Sequence, residues 1–179
     1  KTFTETLRTE YDAATGKNLG ALIEGASTNL ALRSEEFSNG VWIKANLGTG
    51  LTPVVTSNVG IAPDGTNSAD KIAFDMVSET GNNASRIIQN IIAVSGTFSF
   101  YAKSLSGNVT LYAEIDGEIN NLVVTSEWTK FSFTSTVAIT SCQIGLRSGS
   151  HGGSLNSLSA GVYIWGAQCE VLPFASSYI

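Results

Sequence analysis

The segment Tyr163-Ile164-Trp165-Gly166-Ala167-Gln168-Cys169-Glu170 alternates like a β-strand and leads into Pro173-Phe174-Ala175-Ser176-Ser177-Tyr178-Ile179, where the alternation stops. A period of two sends successive side chains to opposite faces of a pleated strand, so this reads as a closing strand, Val162–Val171, with one face in a core. Tyr163, Trp165, Ala167 and Cys169 fall on one face by this count, which makes Trp165 a packing residue.

The same signature recurs upstream. Candidate strands are Leu30–Leu32, Trp42–Ala45, Val54–Ser57, Lys71–Asp75, Arg86–Ile92, Thr97–Ser104, Val109–Ile115, Asn121–Val124, Thr129–Thr136 and Cys142–Arg147. Between them stand breakers such as Pro63-Asp64-Gly65, Ser106-Gly107-Asn108, Asp116-Gly117 and Gly149-Ser150-His151-Gly152-Gly153. Short strands at even spacing with no long helical stripe predict a sandwich or barrel. Residues 1–28 mix polar and apolar positions around a turn signal at Asp12-Ala13-Ala14-Thr15-Gly16 and are expected to form an extended arm, with the sandwich over 29–179.

Composition narrows the function classes. With 179 residues, 18 of them Gly, 42% hydrophobic and only 14% charged, the chain fits one turn-rich β domain rather than a disordered segment. The formal charge of −5 and the scatter of its ten basic residues argue against nucleic acid, which requires clustered Lys and Arg. No apolar run approaches the roughly twenty residues that span a bilayer as a helix, so membrane insertion is not expected. Residue 1 is Lys and no secretion-signal pattern follows, so the chain is expected to start inside a longer protein or to have been trimmed. Cys142 and Cys169 lie in alternating apolar segments and are expected to be buried thiols.

Both ends of the chain resemble one family. The closing WGAQ segment with its Ser-Tyr-Ile finish, and Gly20-Ala21-Leu22-Ile23-Glu24, Thr28-Asn29-Leu30 and Ser34-Glu35-Glu36-Phe37-Ser38-Asn39 near the front, are similar to carbohydrate-binding-module-like jelly-roll domains of bacteriophage tail fibres and tailspikes. Through the middle, Pro63-Asp64-Gly65-Thr66, Phe98-Ser99-Phe100-Tyr101-Ala102-Lys103 and Trp128-Thr129-Lys130-Phe131 resemble the wider xylan- and glucan-binding jelly-roll family. The resemblance implies an all-β jelly-roll sandwich of two antiparallel sheets. It also implies a virion location, contact with other virion proteins or with host-surface polysaccharide, and a homo-oligomer such as a trimer. Related jelly rolls carry a structural calcium; the acidic pair expected in the last strand is replaced here by Trp165-Gly166, so no metal and no cofactor are assigned.

Alternation places Phe98, Phe100 and Ala102 on one face of their strand, and Tyr101 and Lys103 on the other. Leu111, Ala113 and Ile115 are likewise separated from Tyr112, Glu114 and Asp116, and Cys142, Ile144 and Leu146 from Gln143 and Arg147. If the strands flanking Ser106-Gly107-Asn108 pair as a hairpin, Tyr101, Tyr112, Glu114, Asp116 and Arg147 share a polar, aromatic face. Sugars suit such a mixture, because their C–H faces pack on rings while their hydroxyls take charged hydrogen-bond partners. The competing reading is an ordinary solvated outer face with cross-strand pairs.

Hydrolysis is not expected. A glycosidase holds two acids across the scissile bond, whereas Glu114, Asp116 and Glu118 are close neighbours on or near one strand. His151, the only histidine, stands in a Gly-Ser loop, a poor support for a catalytic base. The sequence therefore reads as a non-catalytic domain contacting host-surface glycan. A purely structural virion module, or a binding module attached to a glycanase, are the alternatives.

Overall fold

The computed structural model describes residues 9–11, 18–21, 27–149 and 155–178 of the chain. Its strands are β1 (Thr9–Tyr11), β2 (Asn18–Ala21), β3 (Ile43–Leu47), β4 (Val54–Gly60), β5 (Ala69–Asp75), β6 (Ala84–Ser104), β7 (Val109–Ile115), β8 (Glu118–Val124), β9 (Thr129–Arg147) and β10 (Ser159–Glu170). Among the described residues there is no α-helix. β1 and β2 pair with each other; the rest of the arm expected over 1–28, apart from residues 27 and 28, lies outside the described residues, as does His151.

The fold is the expected all-β antiparallel jelly roll, with a continuous sheet that curls into two layers. The main sheet runs β4-β5-β10-β6-β9-β7-β8, with β3 added on β6. Two long strands carry it from one layer to the other. The C-terminal half of β6 pairs with β10 and with the start of β9, forming a first layer with β5 and β4. The N-terminal half of β6 pairs with β3 and with the end of β9, forming a second layer with β7 and β8. What alternation divided into Arg86–Ile92 and Thr97–Ser104, and into Thr129–Thr136 and Cys142–Arg147, is thus two strands rather than four. Their joints are register shifts between Asn90 and Gly96, bulges that bend a strand without ending it. At this corner a Cβ on Gly96 would lie 1.9 Å from the carbonyl oxygen of Glu170, so only glycine lets the two backbones approach.

Bulges also reverse which residues face inward. In β6, Ile87 and Ile91 are buried before the corner and Phe98, Phe100 and Ala102 after it. In β10 a register shift between Trp165 and Gln168 does the same. Val162 and Ile164 enter the core ahead of it, and Ala167 and Cys169 beyond it. The expected common face of Tyr163, Trp165, Ala167 and Cys169 is therefore split: Trp165 packs with Ala62 and Ala69 on the outer side of the first layer.

An apolar core joins the layers. It contains Ile72 and Phe74 of β5, Phe98 and Phe100 of β6, Leu111, Ala113 and Ile115 of β7, Cys142, Ile144 and Leu146 of β9, and Val162 and Ile164 of β10. Each such large side chain contributes about 1.5–3 kcal/mol through burial. Leu30–Leu32 is no strand but a bend. The Asn29 side-chain oxygen accepts from the Ala31 N–H, and the buried Gln89 amide both donates to and accepts from the Leu32 backbone at 2.8 and 2.7 Å. Trp42 is fully buried, its indole N–H donating to the Arg33 carbonyl at 3.0 Å. Both cysteines are free thiols in the core.

Candidate functional site

The sequence-chosen residues fall into three places. The hairpin that was to unite them does not form, because the C-terminal half of β6 already has β10 on one edge and β9 on the other. β7 instead pairs with β8 and with the far end of β9.

Tyr112, Glu114 and Arg147 do come together, on the outer side of the second layer. Tyr112 stands opposite Gly145 and Glu114 opposite Gln143, which brings β7 side chains against those of β9. Glu114 forms an ion pair with Arg147 and accepts from the Gln143 amide at 3.0 Å. The Gln143 carbonyl oxygen accepts from Arg86 at 2.9 Å and from the Tyr112 hydroxyl at 3.4 Å, and the Arg147 guanidinium lies over the Tyr112 ring at 5.3 Å. Tyr112 is buried, and Glu114, Gln143 and Arg147 keep only 8–9% exposure. Burial pushes the Tyr112 phenol up to about 12, so it stays neutral and available as a donor. This is a locked network, unlike the mobile side chains of an ordinary solvated face.

Asp116 is placed elsewhere. With Gly117 it makes the tight β7–β8 turn, both at positive φ (46° and 87°), and its carboxylate accepts from the Thr140 N–H at 2.6 Å and from the Thr140 hydroxyl. Its role in this structure is to close a turn.

Tyr101 sits on the outer side of the first layer. Its ring centroid is 5.6 Å from that of Trp165, which lies 4.2 Å from that of Tyr178; Lys130 Nζ is 5.7 Å from the Tyr101 ring centroid. Trp165 is almost fully buried beneath them and donates its indole N–H to the Ser68 hydroxyl at 2.8 Å. Nearby, the rings of Trp128 and Tyr163 lie 6.5 Å apart. An open cleft of about 300 Å³ is lined by Pro63, Asp64, Tyr101, Trp165, Ser177 and Tyr178. Sequence reasoning missed Tyr178 here. Its signal was the Ser-Tyr-Ile ending, but nothing local says that this tail folds back.

The buried carboxylate of Glu170 folds it back. It accepts from the Ser176 N–H (3.0 Å) and hydroxyl, from the Gln168 amide (3.0 Å) and from the Ser27 hydroxyl (2.5 Å). Lys130 adds a bond to the Ser176 carbonyl. Among the described residues no three His, Cys, Asp or Glu side chains gather in a way that could hold a metal ion, and Glu36 is engaged by Arg33 at 3.3 Å.

No protein-family model matches the sequence, and no curated protein matches it. Among solved structures, the family 11 carbohydrate-binding module from Clostridium thermocellum, determined with a β-1,3-1,4-mixed-linked tetrasaccharide, superposes with a TM-score of 0.50. It shares 10% identity over 73% of this chain and 89% of that one. A family 29 carbohydrate-binding module variant gives a TM-score of 0.49 and 10% identity, over 86% of this chain and 99% of that one. The tailspike protein 4 domain of bacteriophage CBA120 gives 0.47 and 14%, over 79% of this chain and 21% of that one. At 10% identity, the likeness to the family 11 module establishes the fold: a jelly roll of the carbohydrate-binding-module type.

Proposed function

We propose that the chain is a non-catalytic glycan-contacting domain, carried on a receptor-facing appendage of a phage particle. The observation that carries the glycan reading is the rim of the second-layer network, where the half-buried Arg86 donates to Gln143 and the nearly buried Tyr112, Glu114 and Arg147 hold that pair in place. Hydrogen-bonding groups fixed before a ligand arrives cost little ordering on binding, and a sugar hydroxyl gains only weakly from any one contact. The Tyr112 ring serves as the floor beneath Arg147 rather than as a stacking platform. The family 11 module of the same fold holds a tetrasaccharide.

The chemistry favours binding over turnover. Glu114 is held by an arginine and an amide, and Asp116 by both donors of Thr140, so neither is poised as a free acid or base. The virion placement rests on the sequence resemblance of the two chain ends to tail-fibre and tailspike domains. Several copies on one particle, as in a trimer, would multiply weak contacts through effective concentration.

The test is a glycan array of host-surface polysaccharides and neutral glucans, probed with the purified chain and with Arg86→Ala and Gln143→Ala. Binding of at least one glycan, weakened about tenfold by either variant without loss of fold, is expected. No binding to any glycan, or full binding by both variants, overturns the assignment.

A further inference from the structure

Two clefts meet at Tyr178. The aromatic one, bounded by Pro63, Asp64, Tyr101 and Trp165, lies on one side. On the other is a cleft of about 430 Å³ lined by Arg33, Ser34, Glu35, Glu36, Asn58 and the same Tyr178. Tyr178 is their shared wall, and its hydroxyl donates to Glu35 at 2.7 Å.

We infer that this double cleft is a second saccharide site, on the opposite layer from the Tyr112 network, and that it takes two or more consecutive units of a neutral glycan. The inference rests on the glycan-contact reading of the domain but not on the second-layer face. Three features carry it.

First, the rings are held open. Tyr101 and Tyr178 are each only half-buried over the buried Trp165. Gly166, at φ +63°, brings the tail close: a Cβ there would lie 3.2 Å from the Tyr178 ring and 3.5 Å from the Tyr101 ring. Partly exposed rings around an open cleft suit the C–H face of a pyranose.

Second, the tail bearing Tyr178 is anchored. Gln168 donates to the Ser177 carbonyl at 3.3 Å, and Glu170 and Lys130 hold Ser176. The wall between the clefts is therefore preorganised.

Third, carboxylates outnumber cations on the rim: Asp64, Glu35 and Glu36 stand against Arg33, whose charge is taken up by Glu36 at 3.3 Å. Asp64 is exposed, yet the Thr66 N–H and hydroxyl bind it at 2.9 and 2.7 Å and keep it ionised below the usual carboxylate range. Glu35 and Glu36 border the second cleft beside Asn58. Carboxylates accept strongly from sugar hydroxyls and repel uronates, sialates and phosphates, so the chemistry selects uncharged sugars.

The test is calorimetric titration of the full chain with a panel of neutral hexose tetrasaccharides, with an oligogalacturonate of the same length as the anionic control. The proteins are wild type, Tyr178→Ala, Tyr101→Ala and the second-layer double variant Arg86→Ala/Gln143→Ala, each checked for native circular dichroism. A neutral-glycan site that survives in the double variant and weakens about tenfold or more in either tyrosine variant, with no oligogalacturonate binding, is expected. Neutral-glycan binding that is lost in the double variant and untouched by both tyrosine variants overturns the second site while leaving the second-layer reading intact. Binding of oligogalacturonate as tight as that of the neutral glycans overturns the charge selection, and absence of all binding overturns both readings.

Discussion

Arg147 lies across the ring of Tyr112, its guanidinium carbon 5.3 Å from the ring centroid, so that β9 and β7 share a cation–π contact on an outer face. The same guanidinium is paired with Glu114. One side chain thus joins two strands through a charge and a ring.

Removing Glu114 takes its carboxylate away from a guanidinium that is almost buried. Glu114→Leu is expected to cost about 1.5–3 kcal/mol, whereas the double change Glu114→Leu/Arg147→Met should cost far less than the sum of the two single changes. Urea unfolding of the four proteins in the cycle measures this; additive losses would mean that the pair is uncoupled.

Glu170 sets an acid limit on the docked tail. Burial pushes its carboxyl up, but hydrogen bonds from Ser176, Ser27 and Gln168 together outweigh that and hold it below its ordinary value. A depressed folded-state value means that its stabilisation is complete above the unfolded value, about 4.3, and fades as pH falls through the folded one. Thermal melts of wild type should therefore lose ground to Glu170→Gln as pH drops below about 4, and Glu170→Gln should be the less stable protein at pH 7. A stability difference that stays constant over that range would refute the assignment.

Gly166→Ala tests the bulge in β10. Its left-handed backbone, φ +63°, costs a non-glycine residue about 1–3 kcal/mol, and the added methyl would press on the Tyr178 ring at 3.2 Å. The expected result is a lower melting temperature together with weaker neutral-glycan binding. An unchanged protein would show that the bulge relaxes freely.

Cys142 and Cys169 are both buried. The Cys142 thiol is pushed up by its hydrogen bond to Cys169 and by burial, which leaves little thiolate to react. Labelling by an aromatic disulfide reagent at pH 8 should proceed at the rate of unfolding and accelerate with urea. Instant labelling of either thiol in the native protein would contradict this burial.

Some of this was legible locally. Phe98, Phe100 and Ala102, then Leu111, Ala113 and Ile115, then Cys142, Ile144 and Leu146 were assigned to apolar faces by alternation alone, and they meet in one core. Val109–Ile115 has the same bounds by either route. Alternation went astray at Trp165, where a bulge turned the next residues over, and between Ile92 and Thr97, where the gap between two expected strands is a bend inside one strand. The site divided for the same reason. Tyr112, Glu114 and Arg147 converge because β7 lies beside β9, while Tyr101 went to the other layer because β10, not β7, took the neighbouring edge of β6.

Side-chain periodicity is a property of consecutive residues, and so the amino-acid order by itself determined an all-β chain, the inward residues within each uninterrupted stretch and the turn at Asp116-Gly117. Strand neighbours, and the bulges that change parity, depend on how distant segments share edges and close the sheet around one core. That long-range closure alone decided that Tyr178 returns to wall a cleft beside Tyr101, and that Arg147 finds Glu114.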